Sequence, residues 1–184
     1  MVILIGGPSH TGKTLLAQKL MEKYKTPYLS IDHIKMGIYR GYPDCGFTPE
    51  SDEETITQKL WPVVSGIIKT AVENNQGLII EGVYLPYNLY GLDENYSEKI
   101  LYCKLLFSGE YIRNYFRTKI VENENAIEQR KERFDTPQEQ YIKENARVRD
   151  LCEKNNVKYF EIKQDYTKEI KNVYMWIKKE YKKL

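Results

Sequence analysis

The sequence predicts an α/β fold, a parallel sheet covered by helices on both faces, and three observations lead to this prediction. Short apolar runs that suit buried strands recur along the chain. Longer segments with apolar residues at helical spacing lie between them. The 184 residues, 41% of them hydrophobic, fit a single domain over residues 1–184. Strands that alternate with helices form a parallel sheet, because each helix carries the chain back to where the next strand begins.

The first elements follow each other without long connections. Residues 2–5 are all apolar, which predicts a strand buried on both faces. A glycine-rich loop comes next, and leucines at helical spacing predict a helix that ends near Tyr24. Residues 28–31 predict a second short strand that ends at Asp32.

The middle of the chain contains the longest predicted helix. After a short helix and an irregular loop, Ser51 is the expected N-cap, with Glu54 three residues later. Apolar spacing continues this helix to about Asn74. Residues 77–80 then predict a third buried strand, which ends at Glu81.

The second half repeats the alternation. Residues 100–107 and 158–162 predict the fourth and fifth strands. Between them, residues 109–121 and about 137–154 are expected to be helical, with a stretch dense in charge separating them. A last helix is expected from about residue 167.

Residues 7–14 match the pattern G-x-x-x-x-G-K-[ST] of a phosphate-binding loop. Glycines let successive N–H groups turn towards phosphate oxygens, the lysine adds a positive charge, and the hydroxyl ligates Mg²⁺. The loop follows an apolar strand and opens a helix, which is the structural context that such a loop needs. The predicted nucleotide-binding residues are Gly7, Pro8, Ser9, His10, Thr11, Gly12, Lys13 and Thr14.

Composition excludes several other classes of protein. The net charge of +2 does not favour a nucleic-acid partner. No apolar run approaches the roughly 20 residues needed to cross a bilayer, and no signal peptide is recognisable, so we expect a cytoplasmic protein without membrane contacts. The absence of an Asn-Lys-x-Asp motif disfavours a GTPase. Both a monomer and a homodimer are compatible with the sequence.

The chain resembles the P-loop small-molecule kinases, the superfamily of adenylate, shikimate and gluconate kinases. Residues 6–14, 30–35 (Ser-Ile-Asp-His-Ile-Lys) and 78–85 (Leu-Ile-Ile-Glu-Gly-Val-Tyr-Leu) carry the resemblance, the last two being most similar to the 2-phosphoglycerate kinase and zeta-toxin branches. The resemblance implies a three-layer α/β/α P-loop NTPase fold with strand order 2-3-1-4-5 and a helical lid at about 110–140. It also implies ATP and Mg²⁺ as ligands.

Two carboxylates follow strands whose ends meet at one edge of such a sheet. Asp32 would deprotonate an acceptor hydroxyl or hold Mg²⁺ through water, since related kinases use this position. The alternative is that Asp32 is only a helix N-cap. Glu81 would bind Mg²⁺ or the acceptor, and the alternative is a structural ion pair. Lys13 and Thr14 complete this set, with Lys13 counted as catalytic and Thr14 and Glu81 as metal ligands.

Arginines in the expected lid would stabilise the charge that develops in the transition state, an effect that reaches about 10³-fold or more. In related kinases the lid supplies such residues, and Arg117, Arg130 and Arg133 are the candidates here. Lys119 and Lys131 are substitutes for this role. The alternative for each arginine is a solvated charge paired with a glutamate.

The acceptor is open in identity. One hypothesis is an ATP-dependent kinase of a small metabolite, and a second is a kinase of a larger target such as a nucleotide sugar, a nucleoside or an antibiotic. A third is a nucleotide-binding regulatory module with little turnover. Tyrosines in the two segments that should flank the acceptor either shape its pocket or only pack. They are Tyr39, Tyr42, Tyr84, Tyr87 and Tyr90.

Overall fold

The five strands form one parallel sheet in the order β2-β3-β1-β4-β5, which confirms the expected order. The structure is a computed structural model, and it describes residues 1–123 and 135–181. The strands are β1 (Val2–Gly6), β2 (Tyr28–Ser30), β3 (Leu78–Glu81), β4 (Ile100–Phe107) and β5 (Lys158–Ile162).

Helices connect the strands and cover the sheet. A π-helical turn, Phe116–Val121, continues directly from α5. The α-helices are α1 (Lys13–Tyr24), α2 (Ile31–Gly41), α3 (Glu53–Glu73), α4 (Glu94–Ser97), α5 (Gly109–Tyr115), α6 (Gln138–Lys154) and α7 (Tyr166–Tyr181).

The central strand β1 explains why two separate cores form. Alternate side chains of a strand point to opposite faces, so Ile3 and Ile5 face one layer and Val2 and Leu4 the other. All four are at most 2% exposed. The first pair packs with apolar residues of α1 and α7, and the second pair packs with α3. The sheet is therefore buried on both faces, as the all-apolar run predicted.

Local contacts correct two expected helix starts. The N-cap of α3 is Asp52, whose carboxylate accepts from the Thr55 N–H at 2.9 Å, so Ser51 as N-cap was wrong. The Ser51 hydroxyl instead accepts from the Thr48 N–H. Helix α2 begins at Ile31 with Ser30 as N-cap, so Asp32 is not the cap of that helix.

Two further elements were not foreseen. Residues 109–121, expected as one helix, consist of α5 and the π-helical turn. The short helix α4 lies in the connection between β3 and β4. Within the ranges 1–123 and 135–181, no helix combines the length and apolar character needed to cross a membrane.

Candidate active site

A cavity of about 730 Å³ opens at the carboxyl edge of the sheet, beside the end of β1. Its walls come from the phosphate loop, from the ends of β3 and β4, from α2, α5 and the π-helical turn, and from the connection between β5 and α7. Ligands of open parallel sheets bind at this edge. The lining residues with polar or charged side chains include Ser9, His10, Lys13, Thr14, Asp32, Glu81, Lys119, Asn123 and Asp165.

The phosphate loop has the backbone that its sequence requires. Gly7 has φ 133°, and a side chain there would run into the Leu105 carbonyl oxygen of β4. Gly12 has φ 85°, and a side chain would run into the Tyr166 hydroxyl. His10 also lies in the left-handed region, with φ 60°. A left-handed conformation among right-handed ones makes a concave row of N–H groups that attracts anions.

Lys13 and Thr14 lie where they could contact a nucleotide phosphate. Both are in the first turn of α1 and line the cavity, and Lys13 is only 6% exposed. Lys13 Nζ donates to the Pro8 carbonyl oxygen at 2.6 Å, so its ammonium lies over the loop. The N-terminus of α1 adds a partial positive charge at the same place.

Asp32 and Glu81 line the same cavity as the loop. Glu81 is the last residue of β3 and is 2% exposed, and it lies in register with Ile5 of β1. Asp32 is the second residue of α2 and its side chain is 30% exposed. The structure therefore brings both predicted carboxylates to the loop.

Lys35 is a residue whose role sequence reasoning missed. Its Nζ lies 3.2 Å from Asp32 Oδ1 and donates to the Tyr84 hydroxyl at 3.2 Å, above the Tyr84 ring. Burial opposes its charge, but Asp32 and Tyr84 together raise the pKa of Lys35. The ammonium thus ties α2 to the segment after β3. The spacing of Asp32 and Lys35, three residues apart on a helix, was the available signal.

Lys104 was also missed. It lies in β4 beside Gly6 and is 1% exposed. Its stem crosses Gly6, where an added Cβ would lie 3.0 Å from Lys104 Cγ. Its Nζ donates to the Leu85 carbonyl oxygen at 3.1 Å and lies 3.9 Å from the centre of the Tyr87 ring. Burial lowers the pKa of Lys104 to about 8, against the opposing charge of Glu53. A single lysine in an apolar run was the signal for it.

Among the described residues, the one predicted lid arginine, Arg117, does not line the cavity. Arg117 lies in the π-helical turn, is exposed, and is not among the cavity-lining residues. Lys119, named as a substitute, does line the cavity. Arg130, Arg133 and Lys131 lie outside the described residues.

Aromatic side chains and a fixed turn form the other end of the cavity. Phe107, Tyr111 and Tyr115 line it, and their rings contact each other in succession at tilted angles, with centroid distances of 4.8 Å and 5.0 Å. The turn before α7 also lines it, and the Glu169 carboxylate accepts hydrogen bonds from three successive N–H groups of that turn, those of residues 163–165. Aromatic rings and an ordered turn on one cavity wall suit a planar base.

The five tyrosines considered for the acceptor pocket do not line this cavity. Tyr84 contacts Lys35, and Tyr87 contacts Lys104. Tyr39, Tyr42 and Tyr90 are at least 40% exposed. Two of the five tyrosines therefore contact lysines. Neither the expected pocket role nor the expected packing role included such a contact.

The oxygen donors of the cavity suit Mg²⁺ only in combination with phosphates. Among the residues that the structure describes, no three histidine, cysteine, aspartate or glutamate side chains come together as a metal site. Mg²⁺ keeps several waters and takes one or two carboxylates together with substrate phosphates. The Thr14 hydroxyl and the Asp32 and Glu81 carboxylates line one cavity and meet that description.

Solved structures resemble the chain over almost its whole length. The deoxyadenosine kinase from M. mycoides with bound dATP is 12% identical, with a TM-score of 0.51 over 97% of this chain and 100% of that one. The shikimate kinase from Aquifex aeolicus is 12% identical, with a TM-score of 0.51 over 97% and 96%. An uncharacterized protein from Eubacterium ventriosum is 16% identical, with a TM-score of 0.51 over 97% and 98%.

This is the fold of the P-loop small-molecule kinases. No protein-family profile matches the sequence, and no curated protein matches it. At 12% to 16% identity, what these structures share with the chain is the P-loop kinase fold. The phosphate loop, the strand order and the cavity at the carboxyl edge are common features of that fold.

Proposed function

We propose that the protein is an ATP-dependent phosphotransferase that moves the γ-phosphate of ATP to a hydroxyl or phosphate group of a small molecule. One observation carries the proposal: the phosphate loop with Lys13 and Thr14 shares a cavity with the carboxylates Asp32 and Glu81. One carboxylate, Glu81, is enough to hold Mg²⁺ beside the phosphates, and the second, Asp32, is placed to meet an acceptor hydroxyl.

Residues of the loop would hold ATP. The backbone N–H groups of residues 9–14 and the Lys13 ammonium bind the phosphates, and the ordered turn before α7 receives the base. Mg²⁺, held by the Thr14 hydroxyl and through water by Glu81, neutralises phosphate charge when it is bound. Glu81 is suited to this role because it is almost fully buried at the end of β3.

Asp32 would orient the acceptor and accept its proton. The carboxylate is partly exposed to the cavity and is fixed at 3.2 Å by Lys35, so it can meet a hydroxyl without first reorganising. Phosphoryl transfer depends mainly on such positioning and on neutralised charge. The acceptor therefore lies between α2 and the segment after β3.

The segment at about 110–140 would serve as a lid within a single domain. Lys119 already lines the cavity, and we propose Arg117, Arg130 and Arg133 as further lid cations. Closing a lid excludes water and brings positive charge to the transferring group. We further propose that the chain acts in the cytoplasm as a monomer or homodimer, without nucleic acid or membrane.

The test is transfer of labelled γ-phosphate from ATP to a library of metabolites, sugars, nucleosides and antibiotics. The wild-type chain is expected to label at least one acceptor, and Lys13→Ala to label none, because the loop loses its phosphate-binding charge. Lys19→Ala, an exposed lysine of the same helix, is the control. Tight ATP binding without any labelled acceptor would overturn the proposal.

A second candidate function is a nucleotide-binding regulatory module with little turnover. One observation favours it: Arg117, the proposed lid arginine within the described residues, lies outside the cavity. Under this candidate, Asp32→Ala leaves any background ATP hydrolysis unchanged. Under the kinase proposal, the same variant binds ATP but loses transfer.

A further inference from the structure

A short hydrogen bond joins the phosphate loop to α6. The Tyr141 hydroxyl donates to the Ser9 carbonyl oxygen at 2.6 Å, across 132 positions of the sequence. Tyr141 is 0% exposed, and burial raises the pKa of its phenol. The bond therefore lies in the protein interior, where a hydrogen bond is stronger than in water.

The geometry of a peptide turns this bond into a constraint on the phosphate site. In a planar trans peptide, the C=O and N–H groups point in opposite directions, and the structure has no cis peptide among its described residues. Tyr141 holds the Ser9 carbonyl, so the His10 N–H points away from α6. Ser9 and His10 both line the cavity.

This orientation needs support from outside the loop. His10 has φ 60°, and a residue other than glycine pays energy in that region. The neighbouring carbonyl of Pro8 takes its donors from within the loop, from the Thr11 hydroxyl at 2.9 Å and from Lys13. Tyr141 is a donor that reaches the loop from another layer of the fold.

Helix α6 is itself fixed to the sheet next to Tyr141. The Asn145 side chain accepts from the Phe107 N–H at the end of β4, at 2.9 Å, and donates to the Tyr141 carbonyl oxygen, also at 2.9 Å. The Tyr141 ring lies 6.1 Å from that of Phe116 in the π-helical turn. Motion of α6 would thus be transmitted to the loop through one hydroxyl.

We propose that Tyr141 is a positioning residue for the phosphates: it sets the direction of the His10 N–H and couples the first turn of α6 to the phosphate loop. The inference rests on the proposed use of this loop to bind ATP. Helix α6 would thus contribute to the binding of ATP, the phosphate donor.

The test compares the dissociation constants of ATP, inorganic triphosphate and adenosine for the wild type and for Tyr141→Phe. Loss of the hydroxyl is expected to raise the dissociation constants of ATP and triphosphate by about fivefold, which corresponds to one hydrogen bond. The dissociation constant of adenosine is expected to stay unchanged. Tyr141→p-aminophenylalanine keeps a donor in place and is expected to restore affinity. Tyr174→Phe, a tyrosine packed against the same core, is the matched control.

Equal ATP affinity in Tyr141→Phe would overturn the inference, and so would an equal loss for adenosine or for Tyr174→Phe. Amide hydrogen exchange of the wild-type chain gives a second measurement, in which ATP is expected to slow exchange at residues 9–14 and 138–145 together. Protection confined to the loop would contradict the coupling. A chain that binds ATP but labels no acceptor would end the kinase proposal and leave the Tyr141 result standing, whereas one that binds no triphosphate would overturn both.

Discussion

The proposed donor and acceptor halves of the candidate site are built from different parts of the chain. The donor half, residues 7–14, is made of backbone groups whose directions are set by glycine φ angles and by Tyr141 and Tyr166, which donate to loop carbonyls. The acceptor half consists of the side chains Asp32 and Lys35, and the proposed metal ligand Glu81 lines the same cavity as Asp32. Backbone groups recognise any phosphate, so the choice of acceptor must depend on the side chains.

The two halves also differ in how they are held. The donor half is fixed by buried hydroxyls and by the start of α1, which leaves it little freedom. The acceptor half is held by a lysine whose side chain is 13% exposed and by a carboxylate that is 30% exposed. Partly exposed charge pairs are weaker than buried ones. We therefore expect substitutions in the acceptor half to change transfer more than they change the fold.

The largest expected effect separates the halves directly. Asp32→Asn keeps the shape of the side chain but removes its charge, and the rate of transfer to the acceptor found in the screen should fall by about 10²- to 10⁴-fold. The dissociation constant of ATP should stay within about twofold, because the loop is untouched. Asp44→Asn, an exposed carboxylate near α2, is the control. A comparable loss of ATP affinity would show that Asp32 belongs to the donor half.

A glycine pair tests the donor half. In Gly12→Ala, the new side chain meets the Tyr166 hydroxyl at a φ of 85°, so the loop or Tyr166 must shift, and ATP affinity should fall by about 100-fold. Gly37→Ala in α2 meets no atom within 4 Å and is expected to stabilise the protein by up to about 1 kcal/mol. Calorimetric ATP titration and thermal unfolding measure both. Unchanged ATP affinity in Gly12→Ala would break the account of the loop.

Lys104 is buried beside Gly6. Lys104→Met tests how much the burial of its charge lowers the stability of the fold. The folded pKa of about 8 is below the unfolded value of 10.5, so the folded state binds the proton less tightly. Protonation therefore destabilises the fold, and the wild type should gain stability as pH rises between these values. Lys104→Met lacks this dependence.

The stability of Lys104→Met relative to wild type should be greatest near pH 7 and should shrink by about 2 kcal/mol by about pH 10. Urea unfolding at several pH values measures the difference, which cancels the titration of the buried thiols and phenols. Lys99→Met replaces a lysine in the loop before β4 and is the matched control. A constant difference across this range would show that folding does not lower the pKa of Lys104.

Local patterns predicted the strand before residues 7–14 and the helix at their end almost completely. The apolar run before Gly7 and the leucines after Thr14 fixed a strand, a turn and a helix, since strand and helix periods are properties of neighbouring residues. The bounds of β4 and β5 were predicted to the residue for the same reason. The N-cap of α3 was missed by one residue, because Ser51 and Asp52 are both good caps and only the geometry of the chain decides between them.

Contacts between distant segments were not predictable from those patterns. Tyr141 and Ser9 are 132 positions apart, and Lys35 meets Tyr84 across 49. A tyrosine at helical spacing is equally consistent with packing and with hydrogen bonding, so the sequence does not distinguish them. Asp32 and Glu81 were predicted as neighbours only because both follow strands that end at one edge.

The smallest expected effect concerns the acceptor half. Tyr84→Phe removes the hydroxyl that accepts from Lys35 and leaves the ring beneath the ammonium, so Lys35 keeps its contact with Asp32. The Michaelis constant of the acceptor should rise by about two- to threefold while ATP affinity stays unchanged, because only one partly buried hydrogen bond is lost. Tyr90→Phe, whose ring is 46% exposed, serves as the control. A change in ATP affinity alone would place Tyr84 with the donor half and would shift the acceptor away from the segment after β3.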